Sequence, residues 1–453
     1  MTYPKRIMAV AITLLAFAAV GGCAKTAFVG ATGKGTIRGI NSIATSPELL
    51  FKIEERNLGG TVFKGVAGFS EYDDLTYNFN FDLLLPGETE ATRVATQLLD
   101  VVVDTEYTIV LTGTLANPTL ISWDAAERDF DPAETVFEAD FAHLSPVSGG
   151  VDIYFAAAGV VPVLGEALGS LDYGERIPYQ EFPDGQFELI ITAKDDPINF
   201  LFQSRTLSST PAGRVTFAIF DPDPSITANI AVNLITAGGA SATLADARIP
   251  GNVRLLHAAF GTGRVDGYLN SDFNNIVFPD IGISELSAYR DIDNAIIPLT
   301  LTDVGNSGAR VHEQEIAIPS NSKHTILFGG APGALLFTEL TDDARPLETF
   351  PVVRFTNMSI NTEFLNIYML PPGTVITEDT TTRFSGFPSL VNTGFFGPEE
   401  GAHEITITLS GEITPISTPV TIDVVNGDIV DIVILDTADP AVVDVVIFDS
   451  TLP

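Results

Sequence analysis

The sequence predicts an all-β chain, a tandem array of about four immunoglobulin-like antiparallel β-sandwich modules behind an N-terminal export signal. Three observations carry that prediction. A short pattern recurs about every hundred residues along the 453-residue chain. The runs between turns are β-branched or aromatic and alternate with the period of two of a half-buried strand. Hydrophobic residues make up 45% of the chain and include 30 Phe, enough for each module to fill its own core without disulfides.

The first element is the leader. Lys5 and Arg6 precede an apolar run from Ile7 to Val20, followed by Gly21, Gly22 and Cys23. A positive start, an apolar run of secretory length and a small-residue site describe an export signal, and the run is short for a transmembrane helix. Val20-Gly21-Gly22-Cys23 resembles the lipobox of bacterial lipoproteins, so residues 1–22 are expected to be removed and Cys23 to be the lipid attachment point. Cys23 is the only cysteine, so it has no disulfide partner within the chain, and acylation removes a thiol that is reactive in an oxidising envelope. The resemblance implies several acyl chains, palmitate among them, and two or more anchor stably. Ala24 follows where Asp would signal inner-membrane retention, so the expected location is the cell envelope, on the outer membrane. Residues 23–35 are small and glycine-rich and read as a flexible tether. "GATGKGT" lacks the G-x-x-x-x-G-K-[ST] spacing of a phosphate loop.

The modules follow. "HLSPVSGGVDIYF" (143–155), "HAAFGTGRVDGYL" (257–269) and "NMSINTEFLNIYM" (357–369) share a His or Asn eight residues before a V-D-x-Y-like opening. "NSIATSPELLFKI" (41–53) is a weaker fourth copy. The expected boundaries are 36–135, 136–248, 249–350 and 351–453. "GQFELIIT" (185–192) echoes "GAHEITIT" (401–408), while the first and third copies match least there. Near the end of each copy an apolar run reaches a turn with proline, at Pro118, Pro224, Pro332 and Pro440, and another run then begins. Asn426-Gly427, between two alternating runs, predicts a hairpin. "EATRVATQLLD" (90–100) is the best helix candidate. The linkers "AERDFDPAE", "AGGASATLADA" and "TDDARPLE" are expected to separate modules that, strung end to end, would reach on the order of 100 Å.

"NVRLLHAAFGTGRVDGYL" and "HLSPVSGGVDIYF" resemble the opening motif of the domain-of-unknown-function family 4397, roughly V-R-x-x-H-A-S-P-x-x-P-x-V-D-V-Y-V. Val253, Arg254, His257, Ala258, Val265, Asp266 and Tyr268 match it in the third copy; His143, Ser145, Pro146, Val151, Asp152 and Tyr154 match in the second. The first and fourth copies depart, with Asn41 and Asn357 in the His slot. The resemblance implies tandem β-sandwiches on secreted or envelope-anchored bacterial proteins and no established activity.

That slot bears on chemistry. Asn and neutral His share the capacity to donate and accept hydrogen bonds, but Asn does not titrate near neutrality. Asn41, His143, His257 and Asn357 are therefore expected to be structural. "HEQEI" and "HEITI" lack the second His of H-E-x-x-H, and nucleophile and dinucleotide signatures are absent, so no metal, cofactor or catalytic residue is assigned. The net charge of −35 becomes −37 when Lys5 and Arg6 leave with the leader, which excludes nucleic acid and anionic headgroups as partners. A solvated acidic surface accounts for it; Ca²⁺ at the acidic linkers is the rival account, without an EF-hand loop to support it. The functional expectation is a non-catalytic, lipid-anchored binding, scaffold or adhesion protein with an envelope protein or glycan ligand. The alternative is a glycoside hydrolase using loop carboxylates, two of which could come from the 58 Asp and Glu.

Overall fold

The computed structural model describes residues 30–222, 228–293, 295–342, 344–362 and 364–450. The leader and Cys23 lie outside the described residues. Every regular element described is a strand.

The first module holds β1 (Lys34–Asn41), β2 (Leu49–Ile53), β3 (Arg56–Thr61), β4 (Val66–Asp73), β5 (Thr76–Leu83), β6 (Thr92–Asp100), β7 (Thr105–Gly113) and β8 (Pro118–Ala126). The second holds β9 (Val136–His143), β10 (Val151–Ala157), β11 (Gly169–Leu171), β12 (Arg176–Pro183), β13 (Gln186–Ala193), β14 (Asp196–Gln203), β15 (Leu207–Ser208), β16 (Arg214–Phe220), β17 (Ala231–Thr236) and β18 (Ser241–Leu244). The third holds β19 (Gly251–His257), β20 (Val265–Leu269), β21 (Phe278–Ile281), β22 (Arg290–Ile292), β23 (Ala295–Asp303), β24 (Asn306–Ile318), β25 (Lys323–Ala331) and β26 (Ala334–Thr341). The fourth holds β27 (Val352–Asn357), β28 (Phe364–Leu370), β29 (Phe384–Pro388), β30 (Val391–Asn392), β31 (Gly401–Leu409), β32 (Val420–Val424), β33 (Ile429–Asp436) and β34 (Val443–Asp449).

Each module is two facing sheets with one strand order. In the first, β4-β1-β7-β8 forms sheet I and β3-β2-β5-β6 forms sheet II; the others repeat this, and the second module adds β15 and β18. All pairs are antiparallel except one per module, in which the first strand lies parallel to the seventh or its equivalent: β1 with β7, β9 with β16, β19 with β25 and β27 with β33. The poorly matching landmark of the first and third copies is resolved by topology, because β5 and β23 occupy the place of β13 and β31. The cores lie between the sheets, as in Phe51, Phe79 and Phe81 of the first module or Ile367, Ile407 and Ile432 of the fourth.

Two local expectations fail for identifiable reasons. Residues 92–100 form the edge strand β6, not a helix. A register shift opposite Phe81 and Asp82 skips Val94 and breaks the alternation, so the consecutive Val94 and Ala95 both pack against the core, with Leu99 opposite Tyr77. Asn426-Gly427 does turn the chain, with Gly427 at a φ of 92°. The strands on either side belong to opposite sheets, β32 to sheet II and β33 to sheet I, so the turn is a crossing between sheets rather than a hairpin. Both flanks alternate because both line the same core from opposite sides. Pro440 lies instead in the turn between the paired strands β33 and β34.

The modules are not strung out. The outer faces of sheet I in the first and second modules bury one apolar cluster, Ile40 and Val110 against Leu144, Ala218 and Phe220. The third and fourth repeat it, Leu256 and Leu327 against Met358, Val433 and Leu435. This explains why β33 is buried along its whole length, since both of its faces are covered. The linkers are pinned as well. In the third, Arg345 donates to the carbonyls of Ala44 and Ser46 at 2.7 Å each and Glu348 bonds Thr45; Arg205 of the second module also reaches Ser320 of the third at 3.0 Å. Residues 241–244 of the second linker are themselves strand β18.

Candidate functional site

The His/Asn slot closes the first strand of each module at a fully buried position. His143 Nδ1 accepts the Ser145 N–H at 3.3 Å and its Nε2 lies 2.7 Å from the Gly149 carbonyl. His257 does the same with the Ala259 N–H at 3.2 Å and the Gly263 carbonyl at 3.0 Å. Those partners fix the neutral tautomer with the proton on Nε2. Burial holds both imidazoles below their ordinary pKa, partly offset by the carbonyl bonds to Gly149 and Gly263. Asn41 Oδ1 accepts the Ile43 N–H at 3.1 Å, and its amide donates to Ser46 Oγ and the Thr61 carbonyl. Asn357 Oδ1 accepts the Ser359 N–H at 3.0 Å. Four copies thus tie down the same turn, two residues beyond the slot.

The V-D-x-Y aspartates are also committed. Asp152 accepts from Ser170 Oγ and the Asp195 N–H, and Asp266 from the N–H groups of Asp280 and Gly305, each joining a central strand to a neighbouring edge strand and to a turn. Among the described residues no group of three or more His, Cys, Asp or Glu is placed to hold a metal ion. The acidic linker near residue 130 closes around a cation instead: Arg128 pairs with Glu134, Glu138 and Glu181.

Sequence reasoning missed the position three residues before the slot. It holds Arg38, Asp140, Arg254 and Arg354, all buried on the outer face of sheet I where modules meet. Arg38 bonds Thr108 at 2.8 Å and reaches Thr216 of the second module at 3.0 Å, while Asp140 pairs with Arg176 at 2.7 Å. Arg354 pairs with Asp431 and Asp342 at 2.7 and 2.8 Å, and Arg254 bonds Thr325 at 2.7 Å. Burial alone would lower the Arg354 pKa, but Asp431 and Asp342 outweigh it and raise it. The signal was present: aligning the four copies puts three Arg and one Asp in one column.

Two of the clefts among the described residues stand out by their lining. In the third module a cleft of about 700 Å³ lies between edge strands β21 and β22. Its floor is apolar, with Leu269, Val277, Ile292 and Ile297, and its rim carries Asn270, Asp272, Asn275, Arg290, Asp291 and Asp293. Asp272 caps the Asn274 N–H and Asp291 accepts from the Asn252 amide, which fixes both carboxylates. An apolar floor under amides and carboxylates suits a polyhydroxylated ligand, which offers both hydroxyls and C–H faces. The second cleft lies in the second module.

Comparison with known proteins adds little. No family model and no curated protein matches the chain. Among solved structures it is similar to the Bacillus anthracis TIE protein, at 12% identity and a TM-score of 0.16, over 67% of this chain and 51% of that one. The chain therefore spans about half the length of that protein.

Proposed function

We propose that this chain is a lipid-anchored bacterial envelope protein that binds a glycan or a glycan-bearing protein surface without converting it. The supporting observation is the third-module cleft, whose Asn and Asp rim over an apolar floor offers recognition to a neutral polar ligand. The two His that could have moved protons are spent on backbone bonds, which favours binding over catalysis. The lipobox-like run ending at Cys23 supports the anchor, and the resemblance to domain-of-unknown-function family 4397 supports an envelope setting. The packed body makes it a scaffold of fixed shape at the end of a short tether. A glycan array probed with the chain from Ala24 onward tests the reading. Binding that falls at least tenfold in Asn275→Ala and Asp293→Ala, with no release of reducing ends, is expected. Release of reducing ends would instead establish the glycoside hydrolase. Separately, Cys23→Ser is expected to abolish palmitate labelling and membrane retention; labelling that persists overturns the anchor.

A further inference from the structure

The second module departs from its siblings in one physical respect. It carries two additional strands, and one of them, β15, pairs with the start of β13 at Phe187↔Leu207. A cavity of about 360 Å³ opens beside it. Four phenylalanines line it, Phe137, Phe155, Phe187 and Phe217, with Leu207 and Leu234 completing the walls. The Phe155 and Phe187 rings stack at 4.9 Å, and Phe137 and Phe217 lie 6.3 and 5.3 Å from Phe155.

The mouth offers no free charge. Arg214 stands there, yet Glu138 grips it from two nitrogens and Glu106 lies 3.1 Å away, so it offers no net charge to an incoming anion. Ser209 is likewise committed, to Asp184. A carbon-lined space of this volume gains little by holding water, which needs two to four polar partners, and gains most from an apolar guest in dispersion contact with the rings.

We propose that this cavity is a binding site for an uncharged hydrocarbon group, either an aromatic ring system or the alkyl chain of a neutral lipid. The inference does not depend on the third-module cleft, and it adds a second ligand class to the molecule.

The test uses the chain from Ala24 onward, which contains every described residue, and the neutral fluorophore N-phenyl-1-naphthylamine. The expected result is saturable one-to-one binding that Val215→Trp and Leu234→Phe, which fill the cavity from the paired strands β16 and β17, weaken at least tenfold. Glycan binding by the same variants is expected to be unchanged. Displacement by naphthalene identifies an aromatic guest and displacement by dodecanol an alkyl one. Failure of the parent to bind saturably, displacement by neither competitor, or parent-like binding by a folded cavity-filling variant overturns the proposal. Should one variant fail to fold by circular dichroism, the other decides.

Discussion

The two module–module interfaces occupy the same surface of the repeat and are neutralised from different places in the chain. Between the first and second modules, the column three residues before the slot supplies both signs, Arg38 and Asp140, and the facing strands β7 and β16 supply neutral Thr108 and Thr216. Between the third and fourth, the same column supplies two cations, Arg254 and Arg354. The anions come from β33, as Asp431 in the place of Thr216, and from Asp342 at the start of the linker. Tyr289 and Thr325 also donate to Asp342. What the repeat preserves is therefore a buried polar centre in which each cation meets an acceptor, surrounded by apolar contacts, and not any particular residue. A burial requirement constrains the pairing of polar groups at an interface more tightly than the identity of each.

The sharpest way to break the comparison is to remove the anion that stands where the other interface has a neutral Thr. Asp431→Ala leaves Arg354 short of a carboxylate in a buried site, at an expected cost of about 3–5 kcal/mol. Thr216→Val, the equivalent change in the other interface, removes a neutral hydrogen-bonding group and is expected to cost about 1 kcal/mol. Urea denaturation of both variants checks the pair; equal costs would mean that the two interfaces are neutralised alike. Replacing Arg354 and Asp431 together, by Met and Leu, is expected to recover most of the loss.

The apolar surround should respond more evenly. Phe220 and Leu435 stand at equivalent positions of β16 and β33, fully buried between modules. Phe220→Ala and Leu435→Ala are each expected to cost about 2–5 kcal/mol from transfer and cavity terms. Limited proteolysis gives an independent reading, since residues 126–136 and 341–349 should resist cleavage in the parent and become cut once their own interface opens. Rapid cutting at both in the parent protein would show that the modules are not packed as described.

Much of the fold could be read from sequence, and the misses share one cause. Alternation in "HEITITLSG" revealed β31, and the recurring slot revealed the module count, because both are local patterns of a single sandwich. What alternation did not reveal is where a strand's second face goes. The run "IVDIVIL" was legible as a strand, but its burial on both sides requires a partner module that period-two reasoning does not see. Asn426-Gly427 failed for a related reason: a turn signal marks reversal of direction, and only tertiary packing decides whether the next strand joins the same sheet. The Phe-lined cavity was equally hidden, since those residues are indistinguishable in sequence from an ordinary core.

The smallest expected effects concern the slot itself, where modules with His can be set against modules with Asn. Replacement of His143 or His257 by Ala strands a buried N–H two residues on and is expected to cost about 1–3 kcal/mol, whereas Asn should be nearly silent. The pH dependence separates the two pairs further. Both imidazoles are held below their ordinary value of 6.5 by burial. Between the folded pKa and 6.5 the unfolded chain binds a proton that the folded chain refuses, so stability falls as pH falls through that window, by at most about 1.4 kcal/mol per pH unit for each His. The carboxyls of Asp140 and Asp221 are pushed up by burial, and groups of that kind lose stability as pH rises, opposing the His effect on the acid side. The difference between parent and variant removes that common background. Melting temperatures from pH 7.5 to 5 should therefore fall more steeply in the parent than in the His143→Asn, His257→Asn double variant. Parallel curves would show that the imidazoles are not held neutral, and the bonds to Ser145 and Ala259 would then not be what keeps the slot.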